Sequence, residues 1–348
     1  MWERPPFKVL AESLADASNP IGMRMRAAYF MRQAHADEQS LQEDVVKALS
    51  DGLLDKRQGS LMRHEFAYVM GQLRDERCCE MLEKVLAKSD DCIMVRHEAA
   101  EALGAIGALR SQAVLQQVKA ANPNTPELSE TCQLALNVME WRAAGGDLAD
   151  MPAACACMLN PYSSVDPAPP HPTHADMPFG ELGDILCAPD RPIFERYRAM
   201  FSLRNRGGSG AVQQLCRALT TDMSSSLLRH EVAYVLGQMQ HPDSVEALEE
   251  SLRRADEHKM VRHESAEALG AIDGRWEDVE RILQEFTQDA NQEVRESCMV
   301  ALDAADYWGH SGSKDDELGQ EDGQDSKAAL SFTHQKNERI LVNHFNVE

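Results

Sequence analysis

One dipeptide, used four times at regular intervals, limits what this chain can fold into: His64-Glu65, His97-Glu98, His230-Glu231 and His263-Glu264, each preceded by arginine. The interval from His64 to His97 recurs from His230 to His263, and one constant offset carries the first pair onto the second. The surrounding text repeats as well. Residues 63–73 (RHEFAYVMGQL) match 229–239 (RHEVAYVLGQM) at eight of eleven positions, and 94–106 match 260–272 at twelve of thirteen. The chain is an internal duplication whose best-matched stretches carry metal-ligand residue types.

A period of about 33 residues built from two helices and a short turn is the signature of an α-solenoid. The Val-Arg step opening the second helix, followed by A-x-x-A-L-G, resembles HEAT-type repeats. Helix pairs are expected over residues 1–37, 40–73, 76–106 and 110–143, where a further step of the same length lands on Glu130; the duplicate ends the same way at Glu296. Aromatic residues are only 5% of the chain, which favours helices over sandwiches or barrels. The expected fold is all-α: an α-solenoid of HEAT-like hairpins in two pseudo-symmetric four-repeat halves, residues 1–143 and 187–308, facing each other. Residues 144–186 contain NPYSSVDPAPPHP and read as a Pro-rich linker. Residues 309–348 begin with an acidic, Gly-rich run and read as a disordered tail.

The amino-terminal stretch has no signal-peptide core and no run of 18 apolar residues occurs, so a soluble, intracellular protein is expected. Nine cysteines without a CxxC pair read as reduced thiols; Cys155 and Cys157 with His171 and His174 make too irregular a set for a zinc knuckle. The net charge of −22, from 57 acidic against 35 basic residues, opposes nucleic-acid and anionic-membrane partners and suits a basic one.

In stacked hairpins, equivalent positions of successive second helices line one surface, so His64 is expected beside His97 and His230 beside His263. Two imidazoles and one carboxylate form the facial set that suits non-haem iron, and the duplication supplies it twice. Each histidine is read as lying in the first turn of its helix, where the dipole favours neutral imidazole and ionised glutamate. Gly71, Gly104, Gly237 and Gly270 each follow a histidine by seven, either as helix caps or as space for a long substrate beside the metals. Tyr68, Tyr234, Glu101 and Glu267 each follow a histidine by four, as supports for the ligands or as core tyrosine and solvated glutamate. A non-enzymatic scaffold and a metal-dependent hydrolase are the alternative readings of the same motifs.

With its eight hairpins, four His-Glu steps and linker, the chain resembles the deoxyhypusine hydroxylase family of HEAT-repeat di-iron monooxygenases over about residues 20–308. The resemblance implies hydroxylation of deoxyhypusine to hypusine on a eukaryotic translation factor, with O2 as co-substrate and external electrons. It places one iron on His64, His97 and Glu98 and a second on His230, His263 and Glu264. Glu65 and Glu231 become either further ligands or catalytic, substrate-binding anchors for the substrate's amines. A cytoplasmic monomer is expected. The acidic tail after Trp308 and the long amino-terminal region depart from the pattern without touching the motifs.

Overall fold

The structure, a computed structural model, describes residues 4–146 and 159–308; the acidic tail, Cys155 and Cys157 lie outside the described residues. Sixteen α-helices and no strand occur among the described residues, arranged as eight hairpins. The first four are α1 (Phe7–Ala15) with α2 (Ile21–Asp37), α3 (Gln42–Leu54) with α4 (Gly59–Leu73), α5 (Cys79–Ala87) with α6 (Ile93–Ile106), and α7 (Gln112–Ala121) with α8 (Pro126–Ala143). The next four are α9 (Phe179–Leu186) with α10 (Ile193–Arg206), α11 (Ser209–Thr221) with α12 (Ser226–Met239), α13 (Val245–Arg253) with α14 (Lys259–Ala271), and α15 (Trp276–Phe286) with α16 (Gln292–Trp308). The expected linker, 144–186, therefore runs too far. Residues 179–186 place Phe179, Leu182, Ile185 and Leu186 at helical spacing, form α9 and pack on α10 and α11.

The arginine before each histidine stitches the hairpins together. Arg63, Arg96 and Arg262 donate from Nε to the carbonyls of Leu53, Leu86 and Leu252 at 2.7, 3.0 and 2.8 Å. Those carbonyls lie in the last turn of the preceding helix, where no intrahelical donor remains. Arg63 also pairs with Asp91, Arg229 with Glu257 and Arg262 with Asp289, each acid standing in the turn of the following repeat. One buried guanidinium thus closes its own hairpin and fixes the next.

The second helices of the hairpins form the inner layer and pack in sequence, α2 on α4, α4 on α6, α6 on α8, and likewise from α10 to α16. The layer closes on itself because α8 packs on α10 and α12, and α16 packs on α2 and α4. Pseudo-equivalent bonds cross this junction: Ser60 Oγ donates to Glu293 at 2.7 Å, and between the duplicated counterparts of those two residues Ser226 Oγ donates to Glu127 at 2.7 Å. Enclosure on all sides explains why α4 is buried continuously from Leu61 to Gly71, polar residues included.

Gly71, Gly104 and Gly270 neither cap their helices nor make room for substrate. A Cβ on Gly71, Gly104 or Gly270 would meet the Cα of Ala102, Ala135 or Ala301 in the next inner helix at 2.8, 2.8 and 3.0 Å. Missing side chains let successive helix backbones touch. This close stacking holds neighbouring histidines near one another.

Candidate metal centre

His64 is the sixth residue of α4, and His97, His230 and His263 are the fifth residues of α6, α12 and α14. They lie in the second turn, not the first, so the helix dipole contributes little to their ionisation. Closure of the ring brings all four imidazoles into one cluster. Ring centroids are 5.3 Å apart for His64 and His97 and 5.4 Å for His230 and His263. The separations between halves are similar, 5.4 Å for His64 to His263 and for His97 to His230, and 6.1 Å for His64 to His230. In each half the second carboxylate reaches back to the first histidine: Glu98 stands 3.2 Å from His64 Nε2, and Glu264 3.4 Å from His230 Nε2.

Three donor sets have ligand atoms within 4.8 Å of one another: His64, His97 and His230; His230, His263 and Glu264; and His97, Glu98 and Glu101. The second half gathers its two histidines and one carboxylate in a single group. On the first half these donors are shared between two overlapping groups, with His230 and Glu101 joining them.

His97 is fully buried, and neither of its ring nitrogens has a hydrogen-bond partner among the described residues. A buried polar atom left unsatisfied costs about 1–3 kcal/mol, so two on one ring require a partner of another kind. Burial first, then the neighbouring imidazoles of His64 and His230, push the His97 pKa well below 6.5 and keep the ring in the neutral form a metal needs. Burial also works to discharge His64, but Glu98 and Glu65 outweigh it and hold its pKa well above 6.5. Glu231 is pushed far above the carboxylate range first by burial and then by Glu101 and Glu98, and Glu101 first by burial and then by Glu98. The neutral imidazole of His97 beside crowded carboxylates suits a multivalent cation, which satisfies its orphaned nitrogens and relieves the repulsion.

Glu65 and Glu231, equivalent in sequence, differ in surroundings. Tyr29 Oη donates to Glu65 Oε2 at 2.6 Å, and Glu65 Oε1 lies 3.0 Å from His64 Nδ1. Glu231 instead faces a partly open cleft, which it lines with Glu98, Glu101, Glu264, His64 and His230. Tyr68 and Tyr234 line the same cleft and their hydroxyls meet at 2.9 Å, joining the halves. Glu267 is not solvated, being buried and accepting from Ser297 Oγ at 2.6 Å, whereas the part-exposed Glu101 lines the cleft.

Ser164–Pro167, a part of the expected linker, supply the rest of the cleft wall. This segment is gripped from both halves. Val165 N donates to Gln72 Oε1 at 2.8 Å, and Gln238 Nε2 donates to Ser164 Oγ at 3.1 Å. Arg204 forms a two-pronged ion pair with Asp166, at 2.9 and 2.5 Å. Gln72 and Gln238 occupy equivalent positions of the duplicated stretches, a readable signal; nothing in the linker's composition marks Asp166.

A closed ring of helical hairpins around a buried four-histidine, carboxylate-rich cluster defines a helical-repeat protein with a site fit for metal. A family model described as HEAT repeats matches residues 46–137 and 213–303. Deoxyhypusine hydroxylase of Mus musculus is 42% identical over 301 residues, covering 86% of this chain and 92% of the relative. That of Homo sapiens is 42% identical over 299 residues, covering 86% and 90%. The solved structure of human deoxyhypusine hydroxylase in complex with glycerol is similar to this one with a TM-score of 0.74 at 40% identity, covering 86% of this chain and 96% of that one. The chain belongs to the deoxyhypusine hydroxylase family and is a hydroxylating monooxygenase. The scaffold and hydrolase readings find no support in these relatives. No helix among the described residues is long and apolar enough to cross a membrane.

Proposed function

We propose that the chain hydroxylates the deoxyhypusine side chain of a translation factor to hypusine, with O2 as co-substrate at a di-iron centre. One iron is assigned to His64, His97 and Glu98 and the other to His230, His263 and Glu264. The observation that carries this reading is the buried four-imidazole cluster in which His97 lacks any hydrogen-bond partner among the described residues. When bound, the irons supply the activation of O2 that an unactivated carbon requires. The chain's own residues do the rest. Glu65, held by Tyr29, fixes the orientation of the His64 ring from its Nδ1 side and leaves Nε2 facing Glu98. Glu231 faces the cleft and receives an ammonium of the substrate. The Tyr68–Tyr234 contact and the Ser164–Pro167 segment wall the cleft and limit access of water.

The two halves, with the second begun at α9, work as one unit because the cluster draws on both. The net charge of −22 favours a basic protein partner, and we assign the enzyme to the cytoplasm as a monomer. Purified protein is expected to carry two irons per chain. His64→Ala and His263→Ala are expected to lose iron and activity while keeping the helical circular dichroism. Turnover of the deoxyhypusine-bearing protein should require oxygen. Metal-free protein that still hydroxylated it would sink the proposal.

A further inference from the structure

Five carboxylates line the cleft beside the histidines: Glu98, Glu101, Asp166, Glu231 and Glu264. Three are already engaged. Glu98 and Glu264 stand against His64 and His230, as assigned iron ligands. The charge of Asp166 is matched by Arg204, whose side chain is fully buried. Glu101 and Glu231 remain, and neither has a hydrogen bond or ion pair among the described residues, although Glu231 is only 3% exposed. Their duplicates in the other half are occupied: Glu65, equivalent to Glu231, accepts from Tyr29, and Glu267, equivalent to Glu101, accepts from Ser297. The duplication therefore leaves a pair of unengaged carboxylates on the cleft side and a bonded pair elsewhere. Two such groups sharing a buried wall repel each other unless cations stand between them.

Deoxyhypusine is a lysine extended by an aminobutyl arm and carries two ammonium groups, one secondary and one terminal. We infer that Glu101 determines specificity for this dication, pairing with one ammonium while Glu231 pairs with the other. The inference rests on the proposed function and adds to it the residue that separates the modified side chain from plain lysine, which has one ammonium. Glu101 shares a donor group with His97 and Glu98, so a role as iron ligand is the competing assignment and the test must read iron directly.

The experiment is binding under anaerobic conditions, where substrate cannot turn over, of the deoxyhypusine-bearing protein and of its unmodified lysine form to iron-loaded wild type and to Glu101→Gln. Loss of a charge-assisted hydrogen bond is expected to weaken binding of the deoxyhypusine form about tenfold or more, with the lysine form changed about twofold at most and iron content unchanged. Glu101→Asp, which keeps the charge, should recover part of the discrimination. Equal weakening of both forms, no weakening of either, or loss of iron overturns the assignment. Wild type that fails to hydroxylate the deoxyhypusine form defeats the underlying function instead, so the two failures are distinguishable.

Discussion

Gly71→Ala tests whether backbone contact between inner helices sets the spacing of the histidines. Alanine normally stabilises a helix over glycine by about 1 kcal/mol. Here the added methyl would stand 2.8 Å from Ala102 Cα and 3.0 Å from its Cβ, against an ordinary carbon–carbon contact of about 3.5 Å or more. The obstacle is backbone, so no rotamer change relieves it, and α4 must move off α6 by roughly 0.7 Å. Overpacking of this kind costs about 1–3 kcal/mol, which exceeds the propensity gain and lowers the melting temperature by a few degrees. Gly71 and Ala102 lie on the helices that carry His64 and His97, so iron retention should weaken as well. Gly180→Ala is the contrast, because no described atom lies within 4 Å of where its Cβ would stand; it should melt at or slightly above wild type. Calorimetry and iron analysis on the two variants decide the matter. Gly71→Ala protein as stable as wild type, with full iron, would refute the reasoning.

Two other perturbations follow from buried charge. Arg204→Met strands Asp166 and removes the partner of Gln238 Oε1, so it should cost about 3–5 kcal/mol in urea unfolding and expose residues 159–178 to protease; wild-type resistance would count against the clasp. The Asp91 carboxyl is lowered from 3.8 to about 2, chiefly by its bonds to Arg63 and against the opposing effect of burial. A carboxylate lowered on folding stabilises fully above its unfolded pKa, and that contribution disappears as pH falls from 3.8 towards 2. Asp91→Asn should therefore unfold at lower urea than wild type at pH 7, with the gap much narrowed at pH 2, and a difference undiminished between pH 7 and pH 2 would contradict the assignment.

Local chemistry writes much of this protein into its sequence. Helical periodicity, the regular two-helix period and the internal duplication depend on residues close together in the chain or on direct comparison of its two halves. The eight hairpins are legible for that reason, as are the four histidines and their glutamates. The helical spacing that makes α9 is legible too, but the prolines before it draw the boundary eight residues late.

Other features depend on how small rotations between repeats accumulate around the ring, which no short stretch of sequence records. Closure of α16 on α2 and of α8 on α10 turns two pairs of histidines into one cluster, with ring separations of 5.4 and 6.1 Å between halves close to the 5.3 and 5.4 Å within them. The same closure carries the Pro-rich segment across the site, where Gln72, Gln238 and Arg204 hold it as a wall. It also breaks the symmetry of the duplication, bonding Glu65 and Glu267 to Tyr29 and Ser297 while Glu231 and Glu101 face the cleft. Sequence alone determined where metal-ligand residue types recur; the tertiary structure decided which carboxylates are bonded and which face the cleft, because that depends on partners brought in from distant helices.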